Sequence, residues 1–212
     1  MSEFPLRPVK ALACAVTLLL CACHGSSGAG IFSSAGPSAS LVDVGNGRRM
    51  YVECRGQGLP VVILIGGHRA SAGDWAISHT SEPSVGSAVA ETTRVCAYDR
   101  PGTPVGQQPS RSDAAPQPTT AAEAVRDLHR LQAAADGATS YVLVGHSYGG
   151  LIAKLYARNH PQHVAGLVLV DALSEGLQDA ETPEQWAIQR LLAMCDITQI
   201  PAEYPALERV EI

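Results

Sequence analysis

Apolar and polar positions along the chain fall into alternating blocks. Val61-Val62-Ile63-Leu64-Ile65, Arg94-Val95-Cys96-Ala97-Tyr98, Tyr141-Val142-Leu143-Val144 and Leu167-Val168-Leu169-Val170 are near-continuous apolar runs. Short runs of this kind predict parallel strands buried on both faces at the centre of a sheet. An earlier pair reads as an opening hairpin. Ser40-Leu41-Val42-Asp43-Val44 and Arg48-Arg49-Met50-Tyr51-Val52-Glu53-Cys54 flank Gly45-Asn46-Gly47, and Asn-Gly supplies the positive φ angles of a tight turn. Between the strands the period changes. Thr120-Ala121-Ala122-Glu123 is a capping box, with Ala121, Ala124, Val125, Leu128 and Leu131 on one helical face and Gly137 as the stop. A second helix is expected from Ser147 through Leu151, Ile152, Leu155 and Tyr156 until Pro161 ends it. Strands alternating with helices predict an α/β fold, a mostly parallel central sheet flanked by helices. The proline-rich stretch 102–118 reads as a solvent loop over the C-terminal edge of the sheet.

The N-terminal pattern is different in kind. Arg7 and Lys10 precede the apolar run Ala11 to Leu20, which is about half of the roughly 20 residues a membrane-spanning helix needs. Residues 1–22 are therefore expected to be a signal peptide. Leu20-Cys21-Ala22-Cys23 resembles a bacterial lipobox, which makes Cys23 a lipidation candidate; cleavage nearby to give a soluble secreted product is the alternative. Residues 23–39, rich in Gly, Ser and Ala, are expected to be a flexible tether. Residues 40–174 form the expected core, and 175–212 the start of a cap.

Composition narrows the function. With 212 residues, 46% hydrophobic and 17% charged, the chain supports one domain. A net charge of −5 with scattered Lys and Arg argues against a nucleic-acid partner. The seven histidines and six cysteines contain neither Cys-x-x-Cys nor His-Glu-x-x-His, so no metal and no other cofactor is expected. No feature fixes an oligomeric state.

The chemistry centres on Gly145-His146-Ser147-Tyr148-Gly149. A bare Gly-x-Ser-x-Gly is weak evidence, but this one lies between an expected strand and an expected helix. That context is a nucleophile elbow: the turn is strained, small neighbours avoid collisions, and the serine hydroxyl is pushed into a cleft. The amide of Tyr148, at a helix N-terminus, becomes a donor to an oxyanion. A glycine-rich turn with an idle serine is the alternative.

Taken with its surroundings, the motif resembles the α/β hydrolases of the secreted actinobacterial type. The resemblance is carried by Cys54-Arg55-Gly56-Gln57-Gly58 with Pro60-Val61-Val62, Gly66-Gly67-His68 with Asp74-Trp75, Arg94 to Gly102, Tyr141 to Gly150, and His163 to Ala172. It implies that Gly66-Gly67-His68 is the oxyanion loop after the third strand, with the backbone N–H of His68 as a donor. It also implies that Asp99 and Arg100 pin a loop by hydrogen bonds, and that the strands carrying Cys54 and Cys96 are adjacent. A disulfide between those cysteines follows for an exported protein, two separate buried thiols being the alternative. Cys195 stays unassigned.

A serine at neutral pH needs a base, normally a histidine oriented by a carboxylate. In the family this histidine follows the last strand. The sequence after Ser147 is expected to supply one helix, one strand and the start of a cap, leaving a sheet that lacks its last strands. None of the seven histidines is a convincing substitute. His24 falls in the tether, His129 on the solvated side of its helix, and His160 and His163 at or beyond a helix C-terminus. His79 is far from any motif, His146 points away from the hydroxyl, and His68 acts through its backbone. Asp171, ending the strand after the nucleophile helix, is the candidate triad acid, against a structural role in its turn. Trp186, Ile188, Leu191 and Leu192 fall at helical spacing and begin the cap, or pack it on the body.

The expected function is hydrolysis of a small ester or related acyl substrate through an acyl-enzyme on Ser147. A non-catalytic binding protein or remnant is the rival in another class. Peptide and lipid remain alternative substrates, whereas epoxide chemistry would want an Asp at position 147. Contact with a membrane is expected only through lipid at Cys23, in a cell-envelope or secreted location.

Overall fold

The computed structural model describes residues 31, 32, 36–116, 119–135, 140–174, 176 and 180–187. Among the described residues, six strands and three α-helices follow one another up to Val170: β1 (Ser38–Asp43), β2 (Arg49–Arg55), β3 (Val61–Ile65), α1 (Val85–Ala90), β4 (Val95–Tyr98), α2 (Ala121–Ala134), β5 (Tyr141–His146), α3 (Tyr148–Asn159) and β6 (Val164–Val170). Short 3₁₀ turns at Ala72–Ala76 and Pro161–His163 complete them. The sheet order is β1-β2-β4-β3-β5-β6. β1 and β2 are antiparallel to their neighbours, and β4, β3, β5 and β6 run parallel.

Strand periodicity sorts the core into two layers. Val61, Ile63 and Ile65 of β3 join Leu128, Leu131, Leu143, Ile152 and Tyr156 under α2 and α3. Val62 and Leu64 face the other way, toward Val95, Ala97 and the α1 side. The hairpin turn has positive φ at Gly45, Asn46 and Gly47, as Asn-Gly chemistry requires. Thr120 caps α2 reciprocally with Glu123. Cys54 and Cys96 face each other in register across β2 and β4 and form a disulfide.

Four expectations change. The tether does not extend over all of 23–39: Phe32 is buried, edge-on to Tyr141 with centroids 5.7 Å apart, and β1 starts at Ser38. The Phe32 ring brings an aromatic face to the body at this point of the chain. Loop 102–118 is not simply solvated, because Thr103 and Ser112 are buried and the Asp113 amide donates to Arg49 O at 2.9 Å. Among the described residues β6 is the last strand of the sheet rather than a central one, with Leu167, Val168, Leu169 and Val170 each 39–47% exposed. His129 is not solvated: its ring stacks on His160, centroids 4.0 Å apart, and its Nδ1 lies 3.1 Å from the Tyr156 hydroxyl. Of the expected cap, 183–187 are helical, with Thr182 and Gln185 capping each other. The signal peptide, Cys23, His24, Gly137, Cys195 and the cap positions Ile188, Leu191 and Leu192 lie outside the described residues.

Candidate active site

Every parallel strand delivers a chemically distinctive residue to the same edge of the sheet. β3 runs into Gly66-Gly67-His68, β4 into Asp99-Arg100, β5 into Ser147 and β6 into Asp171. Ser147 has φ 50° and ψ −120°, a conformation an L-residue rarely adopts, at the turn from β5 into α3. Holding a non-glycine residue there costs about 1–3 kcal/mol, so its surroundings must fix it. They do: the Ser147 amide donates to Val170 O at 3.1 Å, and its carbonyl accepts from Gly150 and Leu173, both at 2.9 Å.

The glycines of the motif are set by contact distances. A Cβ on Gly149 would overlap Ile65 O and Gly66 O, so α3 is seated directly on the end of β3. A Cβ on Gly67 would stand 3.1 Å from Ser147 Cβ and 2.8 Å from His146 Nδ1. The loop after β3 therefore lies against Ser147, and Gly67 puts no side chain between them. Tyr148 opens α3 and is buried, which leaves its amide at a helix N-terminus beside Ser147.

Behind this loop lies a second set of residues. Asp99 is fully buried and accepts from the Ala72 amide at 2.7 Å, and from Arg111 through Nε at 2.6 Å and Nη2 at 2.8 Å. Hydrogen bonding to Asp99, ahead of the opposing effect of burial, raises the Arg111 pKa above its ordinary value. Arg111 also stacks on the Tyr51 ring, 3.7 Å from its centroid. Arg100 donates to Gly66 O at 2.7 Å and to Gly67 O at 2.6 Å, 5.4 Å from the Tyr148 ring centroid.

The residues singled out in the sequence are thus partly united. Gly67, the neighbour of His68 in the chain, lies against Ser147, and Tyr148 follows Ser147 at the start of α3. Asp171 is exposed with φ 45° at the end of β6, in the turn whose Leu173 amide braces Ser147. His146 is exposed with its ring against Gly67. His129, His160 and His163 gather elsewhere, between α2 and the end of α3. The Ser147 side chain makes no capping hydrogen bond to α3, and among the described residues no group of His, Cys, Asp or Glu is placed to hold a metal ion. Sequence reasoning missed Arg111 and the buried Ser112. An arginine in a proline-rich loop reads as solvated, and only the fold shows it meeting Asp99.

This elbow, this loop and this strand order define a protein class. A model of the alpha/beta hydrolase fold matches residues 60–199, and the chain belongs to that family. It is 28% identical over 132 residues to the 1-acylglycerol-3-phosphate O-acyltransferase of Arabidopsis thaliana, covering 61% of this chain and 29% of that protein. Among solved structures it resembles a serine hydrolase involved in carbazole degradation, the CarC enzyme (TM-score 0.56, 22% identity, covering 68% of this chain and 51% of that one). It also resembles Est816, an N-acyl homoserine lactone degrading enzyme (TM-score 0.55, 23% identity, 75% and 52%). The chain thus spans about half the length of these structures and less of that curated relative.

Proposed function

We propose that this chain is a serine hydrolase that cleaves carboxylester or related acyl bonds of small molecules. The observation that carries the reading is the Ser147 backbone, held at φ 50° in a strand-to-helix turn with Gly67 packed against it. The Ser147 hydroxyl attacks the acyl carbon, and the developing oxyanion lies between the amides of His68 and Tyr148. The alcohol leaves with a proton, and water then releases the acid. Each backbone donor contributes about 100- to 1000-fold in rate. The steps use a hydroxyl and backbone amides and require no cofactor. Export, with lipid at Cys23 as the link to a membrane, is part of the proposal and rests on the leader sequence; no described helix is long and apolar enough to cross a membrane. Nucleic acid has no place in it.

A second reading is favoured by one observation. The Ser147 side chain makes no capping hydrogen bond, and the histidines that cluster among the described residues, His129, His160 and His163, lie between α2 and the end of α3. A non-catalytic protein that retains the elbow as an acyl-binding cleft fits that fact. The two differ sharply in rate, since losing the base costs on the order of a million-fold. Hydrolysis of a 4-nitrophenyl ester by the full chain and by Ser147→Ala separates them. A rate above that of the variant supports the hydrolase, whereas equal, near-background rates support the binding protein.

A further inference from the structure

We propose that Arg100 is a positioning residue, which sets the direction and the acidity of the oxyanion donors from behind the loop. The inference rests on the serine-hydrolase reading and deepens it. In a trans peptide the C=O and the next N–H point in opposite directions. Arg100 Nη1 takes the carbonyl of Gly66, which turns the Gly67 N–H away from the guanidinium; Nη2 takes the carbonyl of Gly67, which turns the His68 N–H the same way. The α-carbon of Gly67 faces Ser147. One planar fork thus fixes two consecutive peptide planes, with both N–H groups turned away from the guanidinium.

The neighbouring residue completes the grip. Asp99, adjacent in sequence, accepts the amide of Ala72 at 2.7 Å, so the segment from Gly66 to Ala72 is held at its start by Arg100 and at its end by Asp99. Within it the Ala70 amide closes a turn on Gly67 O at 3.1 Å, and Arg69 sits at φ 61°. A loop containing a left-handed arginine and two adjacent glycines would otherwise sample several orientations. Arg100 is buried, so its charge acts through few intervening atoms. A cation on a peptide oxygen polarises that peptide and makes its N–H a better donor to negative charge. The guanidinium geometry matters as well as the charge, because an ammonium cannot span two carbonyls as a rigid fork.

The test uses the full chain and a fluorophosphonate probe, whose phosphoryl oxygen gains negative charge as Ser147 attacks and fluoride leaves. Wild type, Arg100→Lys and Arg100→Gln are compared by the rate of adduct formation at saturating probe, by the probe concentration giving half that rate, and by melting temperature. Arg100→Lys is expected to slow adduct formation about 10- to 100-fold, short of the loss of a whole donor. Arg100→Gln is expected to be slower still, with half-saturation little changed in both; the melting temperature falls as Gly66 O and Gly67 O lose donors, but the rate per folded molecule falls with it. A merely structural role would instead lower the melting temperature with the rate per folded molecule intact, which would overturn the proposal. If neither variant folds, wild type decides: amide exchange at His68 must slow once Ser147 is phosphonylated, and unchanged exchange overturns the inference. Labelled wild type with unslowed variants removes the role of Arg100 and leaves the hydrolase reading standing. Wild type that is never labelled removes both.

Discussion

Two buried arginines flank the same strand, and they do different work. Arg94 precedes β4 and Arg100 follows it, and each uses its guanidinium mainly on backbone oxygens. Arg94 holds Gly56 O at 2.9 Å, Ile31 O at 2.6 Å, Ser38 Oγ at 2.7 Å and also Gly36 O. It ties the segment ahead of β1 to the sheet, at the end opposite Ser147. Arg100 holds the loop beside Ser147. Burial, with no charge effect ahead of it, pulls the Arg94 pKa below its ordinary value. The comparison shows one chemical device, a fork on carbonyls, tying down the start of the fold at one end of a strand and holding the loop beside Ser147 at the other, where the proposal gives it an effect on rate.

The sharpest way to break the contrast is at Gly149. Gly149→Ala places a methyl on the carbonyls of Ile65 and Gly66, backbone atoms that cannot swing aside. It is expected to cost about 3 kcal/mol and to disable the site as well, as seen by denaturant unfolding and probe labelling. Arg94→Met comes next. It strands buried oxygens without a donor and should cost about 2 kcal/mol in the same unfolding measurement, while Ser147 labelling per folded molecule stays unchanged. A fall in labelling would erase the division of labour between the two arginines.

A smaller effect lies between α2 and α3. Burial first, and then neighbouring imidazoles, hold His129 and His160 below the ordinary histidine pKa. A depressed histidine favours the neutral form in the folded state, so its contribution to stability is full above about pH 6.5 and is lost as pH falls below it. His160→Gln should therefore flatten the fall in melting temperature between pH 7 and pH 5. An unaltered pH profile would show that the stacked rings carry no such penalty.

The sequence made much of this legible, and the reason is local. β3, β4 and β5 are continuous apolar runs, α2 has its cap written in Thr120 and Glu123, and Ser147 sits in a motif whose glycines have one geometric purpose. The hidden parts depend on residues distant in the chain. Phe32 is one aromatic in a Gly/Ser stretch until Tyr141 comes to meet it. Arg94 reads as a charge beside a strand, and its partners lie at 31, 36, 38 and 56. The turn at Ala72–Ala76 had a usable signal in Ser71 and Asp74, which cap each other. The imidazole stack joins a helix face to a helix end, and no periodicity in one element reports it.

The central claim is that Ser147 is a nucleophile presented to a preformed pocket of backbone donors. Incubating the full chain with a fluorophosphonate and locating the adduct by peptide mass mapping tests it most directly. The account predicts one adduct, on Ser147, absent from Ser147→Ala. No adduct, or one on another residue that persists in Ser147→Ala, would contradict it.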